Sequence, residues 1–192
     1  ASMPSPTAPI LDDFTRADAG TLGVNWNTTR GTASIVSNQA VLASNTWTSW
    51  VGSRFGPNCE CYWDLVAVGP GFDFSLTDGF EEAGDGYEIV YRPGGGLDFY
   101  RVDATAETLL GAHVTVTFND GDGVWVRRYG GVLEVYQRTA GTWALLASRT
   151  DTTYGKNTYY FGILAPVTGG ASATIDNVGG GNLTNDALLV KN

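Results

Sequence analysis

Residues Asp12 to Trp26 run DDFTRADAGTLGVNW. A short apolar run, Ile10-Leu11, leads into paired carboxylates and an aromatic, Asp12-Asp13-Phe14. A glycine-containing turn follows, then a tryptophan in a polar frame, Asn25-Trp26-Asn27. Brief apolar segments bounded by Asp, Asn and Gly are the marks of strands and turns rather than helices.

The rest of the chain keeps this rhythm. Ala33–Val36 and Gln39–Leu42 flank Ser37-Asn38, a tight hairpin signal. Asn45 to Phe55 carries Trp47 and Trp50 and ends at Gly56-Pro57. Between Cys59 and Ala67 the alternation is clean, with Cys59, Cys61, Trp63, Leu65 and Ala67 on one face and Glu60, Tyr62 and Asp64 on the other. Phe72, Phe74 and Leu76 share a side in the next segment. Tyr87–Arg92 and Leu97–Val102 are joined by Pro93-Gly94-Gly95-Gly96, a second hairpin signal. Val114, Val116 and Phe118 alternate with His113, Thr115 and Thr117, which predicts a further strand. Beyond Asn119–Gly123 a meander runs through Val124–Tyr129, Val132–Gln137, Trp143–Arg149, Thr158–Ala165 and Ala171–Val178.

No window shows sustained apolar spacing at i, i+3, i+4 and i+7. The 26 glycines, nine Tyr, eight Phe and six Trp favour short strands and tight turns. With 43% apolar and 16% charged residues, the 192-residue chain can build one sizeable core. The predicted fold is all-β, a two-sheet antiparallel β-sandwich. Residues 1–8 are expected to be a flexible lead-in, 9–184 a single sandwich domain and 185–192 a C-terminal tail after Gly179-Gly180-Gly181.

Twenty acids against 11 bases give a formal charge of −9, which argues against nucleic acid and anionic membrane surfaces as partners. No apolar run approaches the roughly 18 residues of a membrane span, so no membrane insertion is expected. No basic-then-apolar leader precedes the first strand. Met3 reads as the natural start, with Ala1-Ser2 a cloning scar; the alternative is a domain cut from a larger secreted chain. Cys59 and Cys61, two apart on a strand, are placed too awkwardly for an unstrained bridge and read as buried thiols.

Three places resemble laminin-G-like, concanavalin A-like jelly-roll domains of the kind found in phage tail or virion proteins and bacterial surface proteins. The first is Asp12–Trp26. The second is Asp85-Gly86-Tyr87-Glu88-Ile89-Val90-Tyr91 with Leu97-Asp98-Phe99-Tyr100-Arg101, similar to the central hairpin of such domains. The third is Ala173-Thr174-Ile175-Asp176-Asn177-Val178, similar to their last strand, which pairs beside the first. The resemblance implies a jelly roll that binds a glycan or cell-surface polysaccharide, set on a virion or extracellular surface. Other virion proteins are the alternative partners, with the chain then a purely structural domain.

The candidate ligand-binding residues are Trp47, Trp50, Asn45, Tyr87, Tyr100 and Arg101. Trp47 and Trp50 lie three apart and so face opposite ways along a strand. Either both pack inside, or one is exposed for a sugar ring to stack on, with Asn45 and Ser49 beside it to bond hydroxyls. Tyr87, Tyr91 and Tyr100 carry the same two readings.

For a metal, the resemblance implies a structural calcium where the first and last strands meet, held by Asp12, Asp13, Asp176 and Asn177. Asp78, Glu81, Glu82 and Asp85 crowd four carboxylates into eight residues, either a second calcium loop or a solvated one. The Asn119–Gly123 loop lacks the closing Glu of a calcium loop and reads as a turn.

Catalysis is not expected. There is no Glu-x-Asp-x-x-Glu strand, and Glu88 with Asp98 or Glu60 with Asp64 lacks a glycosidase signature. His113 is the single histidine, and no nucleophile elbow is present. The sequons at Asn27 and Asn182 have no supporting context.

Overall fold

Cys59, Cys61, Trp63 and Leu65 point inward with no more than 1% exposure, as their alternation with polar residues requires. The computed structural model, which describes residues 4–79, 84–166 and 170–184, repeats this arrangement in strand after strand. In chain order the strands are β1 (Ile10–Asp12), β2 (Trp26–Arg30), β3 (Ala33–Val36), β4 (Gln39–Leu42) and β5 (Thr46–Phe55). Then come β6 (Cys59–Ala67), β7 (Phe72–Thr77), β8 (Gly86–Arg92), β9 (Gly96–Asp103) and β10 (Ala106–Leu109). The last are β11 (Gly123–Tyr129), β12 (Val132–Thr139), β13 (Thr142–Thr150), β14 (Tyr159–Ala165) and β15 (Ala173–Asn182). No helix among the described residues is long and apolar enough to cross a membrane.

The strands form two antiparallel sheets. One has eight strands in the order β13-β12-β11-β6-β15-β4-β3, with β1 also paired to β15. The other has seven, in the order β10-β9-β8-β7-β14-β5-β2. The expected pairing of first and last strands is present, Ile10 opposite Gly179 and Asp12 opposite Val178. Between the sheets, Trp63 stacks on Phe74 at 5.0 Å and meets Phe72 edge-on at 5.4 Å. Trp26 makes an edge contact with Trp50 at 5.5 Å. Such offset and edge-to-face pairs suit the ring quadrupole.

Turn chemistry sets the hairpins. Ser37 and Asn38 both have positive φ (53° and 61°), the backbone that a two-residue hairpin turn demands of its central pair. Two expectations are corrected. Residues 115–119 form no strand; Val114 makes a single bridge to Leu97, and Phe118 plugs into the core beside Tyr91. Gly179-Gly180-Gly181 does not end the last strand, which continues to Asn182. At Gly179 a Cβ would lie 2.0 Å from the Tyr62 ring, so that glycine admits close packing rather than breaking the strand.

The segment read as a flexible lead-in is held at its inner end. Glu60, 1% exposed, accepts from Thr7 N (2.7 Å), Thr7 Oγ1 (2.6 Å) and Ala8 N (2.7 Å) on Oε1 and from Trp125 Nε1 (2.8 Å) on Oε2. Tyr62 donates to Ala8 O at 2.9 Å. These contacts strap the chain before Pro9 across the outer side of the eight-stranded sheet. There Trp125, stacked on Tyr136 at 4.3 Å, and Trp143 form a second small apolar cluster.

Both cysteines are unbridged and buried, as read from the sequence. Burial pushes the Cys59 thiol up to about 12, against a partial offset from Arg128, and pushes Cys61 well up too. At about pH 8 a thiol-reactive dye should label neither cysteine in the folded protein and both after denaturation. Labelling of a native thiol would show that this part of the core opens.

Candidate functional site

Alternation in β5, β7, β8, β9 and β14 leaves every second residue facing away from the core. On the seven-stranded sheet those residues fall into register across all the strands. The central row runs Asn27, Ser49, Gly162, Ser75, Glu88, Tyr100 and Leu109, each directly opposite the next. A parallel row runs Trp47, Leu164, Asp73, Val90 and Asp98.

The middle of this outward face is sunken. Ser49 is 2% exposed, Ser75 3% and Glu88 3%. Three polar atoms converge over Gly162. A Cβ built there would lie 2.9 Å from Ser75 Oγ, 3.0 Å from Ser49 Oγ and 3.0 Å from Trp47 Nε1. Trp47 donates its indole N–H to Ser49 Oγ at 3.1 Å, which leaves the Ser49 hydroxyl proton to be given elsewhere. Ser75 Oγ has no hydrogen-bond partner among the described residues, although its residue is almost fully enclosed. The oxygen itself is open at the surface of the niche, where a partner from outside can reach it.

Around this niche the face becomes acidic toward β10. Arg92 grips Asp73 through both terminal nitrogens, with Nη2 to Oδ2 at 3.0 Å. His113 Nδ1 lies 2.9 Å from Asp98 Oδ1, and that hydrogen bond raises the imidazole above its ordinary value. Tyr100 is raised by burial and by the nearby Asp98, Glu107 and Glu88, so three carboxyl groups surround one phenol.

The predicted ligand residues divide between this face and the interior. Trp47 and Tyr100 lie on the outward face. Trp47 is fully buried there, so it presents its N–H at the niche edge and not a ring for stacking. Trp50 faces the opposite way, into the core, where it bonds Ser53 Oγ at 3.2 Å. Neither indole is the exposed platform weighed from the sequence, since Trp47 is 0% and Trp50 6% exposed. Asn45 takes a left-handed turn (φ 59°) before β5. Tyr87 and Arg101 are cross-strand partners on the inner side and share Asp151, at 2.9 Å and 3.2 Å. Arg128 lies over the Tyr87 ring at 4.5 Å, so this group knits a strand end to the 151–157 loop.

The residues proposed for calcium do not fit an ion. Asp12 is filled by other donors: Arg16 through both oxygens (2.6 and 3.0 Å), Trp26 Nε1 at 2.9 Å and Phe14 N at 2.8 Å. A guanidinium stands where a cation would. Asp13 caps Thr15 N at 3.0 Å, and Asp176 bonds Asn177 N at 2.8 Å. The Asn177 amide donates to Asp64 at 3.0 Å instead of offering its oxygen there. Glu81 and Glu82 lie outside the described residues; Asp78 accepts from Asp85 N and Asp85 from Ala104 N, both at 2.9 Å. Asp120 and Asp122 anchor a plain turn. Among the described residues no three His, Cys, Asp or Glu side chains are grouped to hold a metal.

No family model and no curated protein matches the sequence. Solved structures match its fold. Carbohydrate-binding module CBM66 from Bacillus subtilis superposes with a TM-score of 0.59 at 12% identity, covering 85% of this chain and 97% of that one. The Ca2+-bound exoplasmic/lumenal domain of VIP36 gives 0.69 at 12% identity over 91% and 90%. A legume lectin-like domain from Entamoeba histolytica gives 0.60 at 11% identity over 83% and 91%. The chain therefore has the concanavalin A-like β-sandwich fold shared by carbohydrate-binding modules and legume lectin-like domains.

Proposed function

We propose that this protein is a non-catalytic glycan-binding module that receives its ligand on the outward face of the seven-stranded sheet. The observation that carries the reading is the niche over Gly162, where the Ser75 hydroxyl has no partner among the described residues and Ser49 keeps a proton to give. Hydroxyl-rich ligands suit such a floor, since each hydroxyl both donates and accepts. Fold relatives named for carbohydrate binding, and a VIP36 form named as mannose-bound, support the same reading. Asp73 is tied to Arg92 and Asp98 to His113, which speaks against an acid and base pair on this face. A virion or bacterial-surface setting belongs to the reading through the sequence resemblance.

The test is binding of the purified protein to a broad panel of neutral glycans, with calcium and with chelator. Ser75→Ala should leave Tm nearly unchanged, because it removes a hydroxyl that bonds nothing among the described residues. The same change should weaken the best glycan about tenfold, the equivalent of one good hydrogen bond. Gly162→Ala, which crowds the niche, should weaken binding at least as much. Silence across the panel, or binding indifferent to both changes, would remove this face as the site. Loss of binding in chelator would place a calcium requirement elsewhere than the Asp12 group.

A further inference from the structure

We propose that the niche over Gly162 receives an acetamido group, so that the preferred ligand is a glycan of N-acetylated amino sugars. The inference rests on the glycan reading and deepens it. Size sets the first limit. The point that lies 2.9 Å from Ser75 Oγ and 3.0 Å from both Ser49 Oγ and Trp47 Nε1 is one bond length above the Gly162 backbone. Ser49 and Ser75 are 2% and 3% exposed. A recess this narrow excludes a whole sugar ring and admits a substituent projecting from one.

Chemistry sets the second limit. Trp47, Ser49, Gly162, Leu164 and Ser75 carry no charge, so an ionic substituent entering among them would give up water for no opposite charge on these five residues. Among neutral substituents, the acetamido group matches both halves of the recess. Its polar half is the pair of serines that flank Gly162 on the neighbouring strands. Ser49 Oγ accepts the Trp47 N–H and keeps its own proton to give, and Ser75 has a second. A carbonyl oxygen takes both protons on its two lone pairs and brings none of its own to place. The apolar half is Leu164, 5% exposed, which stands opposite Trp47 in the ladder. The Trp47 indole reaches from there to Gly162 and so joins Leu164 to the two hydroxyls. An acetamido methyl beside its carbonyl gains by burial against this wall. A hydroxymethyl arm would bond the serines but bring nothing apolar to Leu164.

The experiment measures calorimetric binding of oligosaccharide sets, drawn from several linkages, whose members differ at C2 alone: hydroxyl, acetamido or free amine. The acetamido member should bind about tenfold more tightly than the hydroxyl member of its set. That ratio should hold as salt rises from about 0.05 to about 0.5 M, because no charge takes part. Ser75→Ala should reduce it to about twofold, by removing one of the two protons given to the carbonyl. Leu164→Ala should reduce it about fourfold, the worth of one buried methyl. Should Leu164→Ala lower Tm too far to measure, Ser75→Ala reads the niche by itself. Equal affinity within every set, binding confined to sugars without acetamido groups, or a ratio untouched by Ser75→Ala would overturn the acetamido assignment. Each of these would leave glycan binding standing. No binding by any oligosaccharide, neutral panel included, would overturn both.

Discussion

Glu60→Ala should lower folding stability by about 3 kcal/mol, a drop in Tm of about 6–12 °C for a chain of this length. The side chain is 1% exposed and takes four hydrogen bonds, three from Thr7 and Ala8 and one from the Trp125 indole. Alanine would orphan an enclosed indole N–H and release the strap that lies over it. Removing the residues before Pro9 should reproduce much of the loss, because it strips Glu60 of three of its donors. The two changes share partners, so their combined cost should fall well short of their sum. Calorimetry of the single and combined variants decides the matter. A Glu60→Ala loss under about 1 kcal/mol would mean the strap is held by something else.

Asp12→Ala should cost about 2–3 kcal/mol at neutral pH, since it leaves Trp26 Nε1 and Phe14 N without their acceptor and frees Arg16. Phe14 is wholly buried at φ 52°, and the Asp12 carboxyl is what fixes that turn. Burial alone would push the Asp12 carboxyl up, but the hydrogen bonds from Arg16, Trp26 and Phe14 outweigh it and hold it below its ordinary value. The folded carboxyl thus binds its proton less readily than the unfolded one. Its contribution is complete above the unfolded value near 4 and fades as the pH falls through the lower folded value. Denaturation followed against pH should show the variant and the parent converging below about pH 4. Parallel curves would disconnect Asp12 from the acid limb. Calcium should not rescue the variant.

Local pattern carried most of the fold. Alternation alone placed Cys59, Cys61, Trp63, Phe72 and Phe74 inward, because a strand with one buried face writes its register into every second residue. The Pro93-Gly94-Gly95-Gly96 and Ser37-Asn38 turns announced their hairpins for the same local reason. The candidate face was far less legible. Ser49, Gly162 and Ser75 come from three strands distant in sequence and meet only through registry, so no short motif contains them. The available signal was a small polar residue in the outward slot of an otherwise bulky strand, Ser75 between Phe74 and Leu76. Asp12 misled because carboxylates at a strand junction look alike whether a metal or an arginine occupies them. Arg16 lies only four residues away, and that spacing was the clue.

The central outward row keeps one residue from each of seven strands in step, from Asn27 to Leu109. Strands repeat every ~4.8 Å, so a ligand lying across them crosses six intervals, a span of about 29 Å. The face is in this sense a ruler with strands for graduations. Short oligomers would leave part of the scale unread and slide along it, while long ones would overhang. Affinity measured against oligomer length should climb to a plateau, and the length at the plateau would report how many strands the ligand touches.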